Sequence, residues 1–228
     1  MKSHDYKLLV FDWDGTLMDS EARIVESFEA AIGDVGLPPR PRSDLRGIIG
    51  LGMPEALNHL FPDEASAHAA LVERYRHHFL VASPTPTPLF EGVRPMLAAL
   101  EAAGYFLAVA TGKARRGLDR VLGETGLDGL FHFTRCADEC RSKPHPQMLL
   151  EIMERTGVEP EQTLMIGDTE FDLLMARNAG AHALGVTYGV HEPARLLACG
   201  PLGCVDSVPA LHEWLLGGRA LPAEPVTA

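Results

Sequence analysis

Short apolar segments alternate with helical repeats through most of this chain. The first segment, Leu8–Phe11, has four consecutive apolar residues, a pattern typical of a strand that is buried on both faces. Amphipathic patterns that indicate helices separate it from later apolar segments. Those later segments predict strands at residues 105–110, 130–133, 163–166 and 183–186. The alternation predicts an α/β fold, with a Rossmann-like parallel sheet core and helices on both faces.

A different pattern fills the region between the first strand and residue 88. Val25, Phe28 and Ile32 recur at the spacing of one helix face, and no strand is predicted nearby. The other elements predicted here are helices at residues 53–61 and 63–81 and a glycine-containing loop at residues 44–52. This part of the chain is therefore expected to be entirely helical.

An extended Ser-Pro-Thr-Pro segment at residues 83–88 ends the helical region and predicts a domain boundary. We expect an all-helical cap domain at residues 18–87, inserted into a core formed by residues 1–17 and 88–217. Residues 217–228 are rich in Gly, Pro and Ala, and residues 218–228 are predicted to form a disordered tail.

Charge and hydropathy exclude several classes of function. A formal net charge of -11 argues against a protein that binds a nucleic-acid polymer or a membrane surface. No apolar segment approaches the roughly 20 residues that a membrane-spanning helix needs. The N-terminus leads directly into a strand and lacks the layout of a signal peptide, so we expect a cytoplasmic protein.

The four cysteines agree with that compartment. Three residues separate Cys136 from Cys140, and four separate Cys199 from Cys204, so neither pair has Cys-x-x-Cys spacing. We expect reduced thiols, and a zinc site split between the two pairs is the alternative.

Residues with polar side chains or a free backbone N–H follow each of the first four strands of the predicted sheet. Parallel sheets bind ligands at this carboxyl edge of their strands. In chain order these residues are Asp12 and Asp14, Thr111 and Gly112, Lys143, and Asp168 and Asp172. Two carboxylates about 4 Å apart repel each other by about 4 kcal/mol at an effective dielectric near 20. Converging carboxylates therefore predict a divalent cation, and Mg²⁺ is the usual one beside phosphate.

The donors on the neighbouring strand ends point to a phosphate group. Thr111, the Gly112 N–H and Lys143 can all donate to an oxyanion. Taken singly, Thr111 or Asp168 could be a helix cap and Lys143 a solvated lysine, but their joint occurrence favours a site. Lys113 is a further candidate, and His145 is interpreted as a helix-start residue.

Four motifs stand in order along the chain: Asp12-Trp13-Asp14-Gly15-Thr16, then Thr111, then Lys143-Pro144, then Gly167-Asp168-x-x-x-Asp172. With them the sequence resembles the haloacid dehalogenase-like hydrolase superfamily, and most closely its phosphoglycolate-phosphatase-like branch. The resemblance implies a Rossmann-like core with a helical cap inserted after the first motif.

The resemblance also implies roles. Asp12 would be the nucleophile that forms an aspartyl-phosphate, and Asp14 the general acid and then the general base. Mg²⁺ would be held by Asp12, the backbone carbonyl of Asp14 and Asp168. Thr111 and Lys143 would bind the phosphoryl oxygens. Asp172, one helical turn from Asp168, is expected to orient the metal site through a water molecule or a hydrogen bond, without binding the metal directly.

Several alternatives stay open within this interpretation. Asp14 favours phosphoryl transfer over dehalogenation, because a halide leaves without a proton. A phosphatase acting on a small phosphorylated metabolite, such as phosphoglycolate or a sugar or nucleotide phosphate, is preferred to a phosphomutase of the β-phosphoglucomutase type. The cap stretch at residues 46–54 is poor in polar side chains, and Arg46 is its candidate specificity residue. A non-catalytic module that binds phosphate or a partner is the alternative outside the enzymes. We expect a monomer or a homodimer.

Overall fold

The computed structural model describes residues 6–217 and contains a six-stranded parallel sheet with strand order β3-β2-β1-β4-β5-β6. The strands are β1 (Leu8–Phe11), β2 (Phe106–Thr111), β3 (Phe133–Cys136), β4 (Thr163–Gly167), β5 (His182–Val186) and β6 (Cys204–Val205). Every neighbouring pair in the sheet is parallel. The carboxyl ends of all six strands therefore lie at one edge.

Ten α-helices accompany the sheet within the described residues. They are α1 (Glu21–Val35), α2 (Arg42–Gly47), α3 (Met53–Leu60), α4 (His68–His77), α5 (Val93–Ala102), α6 (Arg115–Thr125), α7 (Gln147–Thr156), α8 (Glu170–Asn178), α9 (Pro193–Leu197) and α10 (Val208–Leu216). None of the helices between residues 6 and 217 has the length and apolar character of a membrane span.

Strand β1 lies at the centre of the sheet and is buried on both faces. Leu9 and Phe11 pack with α5, α6 and α10 on one face. Leu8 and Val10 pack with α7 and α8 on the other. Because side chains alternate along a strand, a strand covered on both sides must be apolar at every position. The α/β fold with helices on both faces is confirmed.

Helices α1 to α4 form a separate layer with its own hydrophobic cluster, built around Phe28, Leu45, Leu57 and Phe61. We call residues 18–87, which contain this layer, the cap. The two connections to the sheet run side by side, because the Asp19 N–H donates to the Pro88 carbonyl at 2.8 Å and the Phe90 N–H donates to the Leu17 carbonyl at 3.0 Å. We propose that these paired connections mark the domain boundaries.

Some elements differ from the sequence prediction. Strand β3 begins at Phe133 instead of residue 130, because Leu130 and Phe131 pack on the core before the strand starts. The predicted loop at residues 44–52 overlaps the short helix α2, and α9 and β6 were not predicted. The predicted disordered tail, residues 218–228, lies outside the described residues.

Candidate active site

Three carboxylates converge at the carboxyl edge of the sheet. Asp12 follows β1, Asp168 follows β4, and Asp172 lies in the first turn of α8. Each offers one oxygen, and these oxygens all lie within 4.8 Å of one another. None of the three side chains is more than 1% exposed. Such a cluster requires positive charge nearby, because burial strengthens the repulsion between carboxylates.

Lys143 supplies one positive charge from the loop that follows β3. Its Nζ lies 2.8 Å from Oδ1 of Asp12 and 2.6 Å from Oδ1 of Asp172, and the side chain is fully buried. Burial by itself would lower the pKa of Lys143, but the attraction of the two carboxylates outweighs it and the pKa is raised. The lysine is therefore charged throughout the ordinary pH range.

The donor set around Asp12 and Asp168 fits a divalent cation. Oδ2 of Asp12 is buried and has no hydrogen-bond partner among the described residues. Burial raises the pKa of Asp12 well above its usual range, Lys143 opposes that rise, and the neighbouring carboxylates add to it. Burial, and next the charge of Asp172, raises the pKa of Asp168 to about 7. One lysine thus leaves the cluster short of positive charge, which a cation bound to carboxylate oxygens would supply.

Asp168 is fixed in place by its surroundings. The Thr16 hydroxyl donates to its Oδ1 at 2.8 Å and the Val190 N–H donates to its Oδ2 at 2.9 Å. Glycines leave room for it, because a Cβ at Gly15 would lie 2.1 Å from Oδ2 and a Cβ at Gly189 would lie 2.4 Å from the same atom. Gly15 also has a φ of 79°, which favours glycine.

Asp172 is held from its other side by the start of α8. The Thr169 hydroxyl donates to Oδ2 of Asp172 at 2.6 Å, and the Thr169 N–H donates to the same oxygen at 3.1 Å. Both Asp172 oxygens therefore have partners, since Oδ1 contacts Lys143. A carboxylate engaged in this way can orient Lys143 and the neighbouring carboxylates.

The Asp14 side chain lies outside this cluster and has different partners. The Ser20 hydroxyl donates to its Oδ1 at 2.5 Å, and Lys113 Nζ lies 2.9 Å from the same oxygen. Lys113 was only a further candidate in the sequence, and the structure places its ammonium group beside Asp14. Ser20 directly precedes α1, but its hydroxyl makes no cap hydrogen bond and binds Asp14 instead.

The second strand end lies beside these groups. Thr111 is buried, and its hydroxyl oxygen accepts a hydrogen bond from the Lys113 N–H at 3.2 Å. Gly112 lies against the cap, because a Cβ there would be 2.7 Å from the carbonyl oxygens of Gly50 and Leu51. His145 behaves as a helix-start residue, with Nδ1 accepting from the Gln147 N–H at 3.2 Å.

Arg46 makes contacts within the protein. Its Nε lies 2.7 Å from Oε1 of Glu21, and its Nη2 donates to the Val190 carbonyl at 3.1 Å. The guanidinium thus bridges the cap and the loop that carries Gly189. Its role in substrate specificity remains a prediction.

A cavity of 720 Å³ lies between the cap and the edge of the sheet. Asp12, Asp14, Gly112 and Lys113 line it from the core, and mainly apolar side chains line it from the cap. The cap is also tied to the core at this point, because the Gly52 N–H donates to Ser142 Oγ at 2.7 Å. Asp12 and Asp14 therefore face a cavity that is large enough for an organic phosphate.

A family model described as Haloacid dehalogenase-like hydrolase matches residues 9–186. The chain belongs to the haloacid dehalogenase-like hydrolase family. Within the family, it is 39% identical over 205 residues to "Probable phosphatase IndB" of Dickeya dadantii (strain 3937), covering 88% of this chain and 89% of that protein. It is 31% identical over 227 residues to the phosphoglycolate phosphatase of Agrobacterium fabrum, covering 95% and 97% of the two chains.

A solved structure has the same fold. It is described as a predicted phosphatase from Clostridium acetobutylicum, and it matches with a TM-score of 0.83 and 25% identity over 93% of this chain and 99% of that chain. These similarities confirm the expected family and its phosphoglycolate-phosphatase-like branch.

Proposed function

We propose that this enzyme is a Mg²⁺-dependent phosphatase that hydrolyses a small phosphate monoester through an aspartyl-phosphate. The observation that carries the proposal is the free oxygen of Asp12. Oδ1 is held by the Trp13 N–H at 2.7 Å and by Lys143, whereas Oδ2 has no partner within residues 6–217. Asp12 also lines the cavity, so a bound ester can meet its carboxylate there.

The proposed metal ligands are Asp12, Asp168 and the backbone carbonyl of Asp14. Asp172 is proposed to orient the site. The surplus of buried negative charge at Asp12, Asp168 and Asp172 supports this set. When bound, Mg²⁺ would neutralise carboxylate charge and attract the phosphoryl oxygens toward the nucleophile.

The first half of the reaction needs a nucleophile and an acid. The Asp12 carboxylate attacks phosphorus, the bond from phosphorus to the ester oxygen breaks, and Asp14 donates a proton to the departing alcohol. Lys143 has three N–H donors and uses two on carboxylates, so one remains for a phosphoryl oxygen. The Thr111 hydroxyl and the Gly112 N–H are the other proposed phosphate donors.

The second half releases the phosphate. Asp14, now ionised, takes a proton from a water molecule, and the resulting hydroxide attacks the phosphorus of the aspartyl-phosphate. The bond from phosphorus to Asp12 breaks, so the carboxylate is restored and inorganic phosphate leaves. The Ser20 hydroxyl and Lys113 hold Asp14 by one oxygen, which leaves the other to exchange protons with alcohol and water.

The proposed substrate is a small phosphorylated metabolite, with phosphoglycolate and sugar or nucleotide phosphates as candidates. The four free cysteines support the reducing cytoplasm as the compartment. A phosphomutase of the β-phosphoglucomutase type would return the phosphoryl group to a sugar phosphate and release little inorganic phosphate. Measuring phosphate release against transfer separates the two activities.

The test uses the full chain with 4-nitrophenyl phosphate and Mg²⁺. We expect turnover that EDTA abolishes, and a loss of at least about a thousandfold in the Asp12→Asn variant. The Asp19→Asn variant, altered next to the motif, is the matched control and should retain activity. Equal turnover by wild type and Asp12→Asn would contradict the proposal. The absence of turnover in both would favour a non-catalytic binding module.

A further inference from the structure

The cavity between the cap and the core is larger than a two-carbon phosphate ester requires. Its 720 Å³ falls within the range of about 300–1,000 Å³ that is typical of sites for drug-sized ligands. Asp12 and Asp14 line it on the core side, where the phosphate reacts. Phosphoglycolate bound there would leave most of the cap side without a ligand contact.

The cap side of the cavity is an apolar wall with aromatic side chains. Ring centroids of Phe28 and Tyr75 lie 4.4 Å apart, and those of Tyr75 and Phe79 lie 5.7 Å apart. All three side chains line the cavity, together with Leu57 and Val72. A wall of this kind favours a flat apolar group, because burying apolar surface is stabilising and aromatic faces pack well against rings.

Arg23, a cationic side chain of this wall, forms no ion pair within residues 6–217. Arg23 lines the cavity, and its Cζ lies 5.1 Å from the centroid of the Phe79 ring. Its Nε is buried and has no hydrogen-bond partner in the described part of the chain. Arg46, by comparison, is paired with Glu21. Because a cationic side chain without a carboxylate partner gains from an anionic acceptor, the Arg23 guanidinium is suited to an acceptor that a ligand brings into the cavity.

We propose that the natural substrate is a phosphate monoester whose alcohol carries a planar ring and, beyond the ring, a carboxylate or carbonyl acceptor. The ring packs on the apolar wall, and Arg23 donates to the acceptor. Arg23 is thus a specificity residue for the leaving group. This inference rests on the proposed function, since Asp12 and Asp14 define the phosphate end.

Three esters of primary alcohols distinguish the contribution of the ring from that of the acceptor. They are phosphoglycolate, which has an acceptor and no ring, benzyl phosphate, which has a ring and no acceptor, and 4-carboxybenzyl phosphate, which has both. Their leaving groups are similar, so differences in kcat/KM report binding of the alcohol. We expect benzyl phosphate to exceed phosphoglycolate by about tenfold or more, as burial of a phenyl ring predicts. The carboxyl group should add about tenfold again through Arg23. A kcat/KM for phosphoglycolate equal to or above that of the ring-bearing esters would overturn the inference.

Two variants test the residues. Arg23→Gln should lower kcat/KM for 4-carboxybenzyl phosphate by about tenfold and change benzyl phosphate less than about threefold. Arg42→Gln, a cap arginine paired with Glu29, is the matched control. Val72→Phe, which fills the cavity, should impair the ring-bearing esters and spare phosphoglycolate. An equal loss on all three esters in either variant would contradict the assignment.

A binding measurement keeps this test separate from the phosphatase proposal. Calorimetric titration of the Asp12→Asn variant with the same three esters, in the presence of Mg²⁺, should give the same order of affinity. If no ester is hydrolysed but this order holds, the inference stands and the catalytic proposal fails. If the esters are hydrolysed but the three affinities are equal, the inference fails and the phosphatase proposal stands.

Discussion

The ammonium group of Lys143 lies 2.8 Å from Oδ1 of Asp12, and neither side chain is more than 1% exposed. This pair joins the third strand end to the first and neutralises part of a three-carboxylate cluster. A buried charge that loses its partner destabilises a protein far more than a surface charge does. Stability and catalysis should therefore both depend on Lys143.

The Lys143→Met substitution tests that dependence. We expect the free energy of unfolding to fall by about 3 kcal/mol or more, because two buried carboxylates lose their counter-charge. Phosphatase activity of the folded fraction should fall at least about a hundredfold, since a proposed phosphate donor is removed. Urea unfolding and steady-state assays measure the two effects. The exposed Lys7→Met variant should change neither, and similar behaviour of the two variants would refute this role.

The Asp14→Asn substitution should separate the two halves of the reaction. With 4-nitrophenyl phosphate, whose leaving group needs no proton, Asp12 can still be phosphorylated, but the amide that replaces the Asp14 carboxylate cannot activate water. We expect a burst of about one nitrophenolate per enzyme, followed by turnover at least about a hundredfold slower than wild type. Rapid-mixing absorbance measures the burst. An alkyl phosphate should give no burst, and steady turnover of both esters would contradict the acid–base role.

Metal binding should be coupled to pH through Asp168. Burial raises its folded pKa from 3.8 to about 7, so the metal-free folded protein binds a proton in that window that the unfolded chain does not. Stability of the metal-free protein should therefore fall as the pH rises from about 4 to about 7, since the buried carboxyl must ionise.

Mg²⁺ requires the ionised form, so its stabilising effect should grow with pH. At one fixed Mg²⁺ concentration, about 100 times the Kd at pH 7.5, we expect a rise in Tm of about 5–10 °C at pH 7.5 and less than half of that at pH 5. Differential scanning calorimetry measures both. In the Asp168→Asn variant the response to Mg²⁺ should disappear, and an equal response at the two pH values would argue against the assignment.

Gly189→Ala should damage the site through a single methyl group. The added Cβ would lie 2.4 Å from Asp168 Oδ2 and from the Gly15 carbonyl oxygen, so the carboxylate or the backbone must move. We expect a loss of about 2 kcal/mol in unfolding free energy and a weaker response to Mg²⁺. Gly33→Ala in α1, where the Cβ meets nothing within 4 Å, should instead be neutral or stabilise by up to about 1 kcal/mol. Chemical denaturation of both variants gives the comparison.

Much of the sheet and the carboxylate cluster could be predicted because strongly buried strands have distinctive sequences. Leu8–Phe11 is apolar at every position because both faces are covered, and the polar residues that follow each strand must share one edge. Edge elements gave weaker patterns. Strand β3 contains Thr134 and Arg135, which are only partly buried, so its own sequence does not look like a buried strand. The predicted start therefore fell on the apolar Leu130 and Phe131, which precede the strand.

Individual side-chain contacts could not be predicted from the pattern. Ser20 looks like an ordinary helix cap, but the turn after β1 brings its hydroxyl to Asp14, which lies earlier in the same connection. Arg23 has the spacing of an exposed helix residue, and its place beside Phe79 depends on how α1 packs against the end of the cap. Gly189 follows β5 without any motif, although Asp168 needs the space that it leaves.

Gly112 determines how closely the cap and the core can approach each other. The Gly50 and Leu51 carbonyl oxygens lie 2.7 Å from where a Cβ would stand, so any larger residue would act as a wedge between them. Bulk water would then enter through the gap, and its high dielectric would weaken the attraction between Lys143 and the carboxylates beneath. The close approach of cap and core at this strand end therefore depends on a residue that has no side chain.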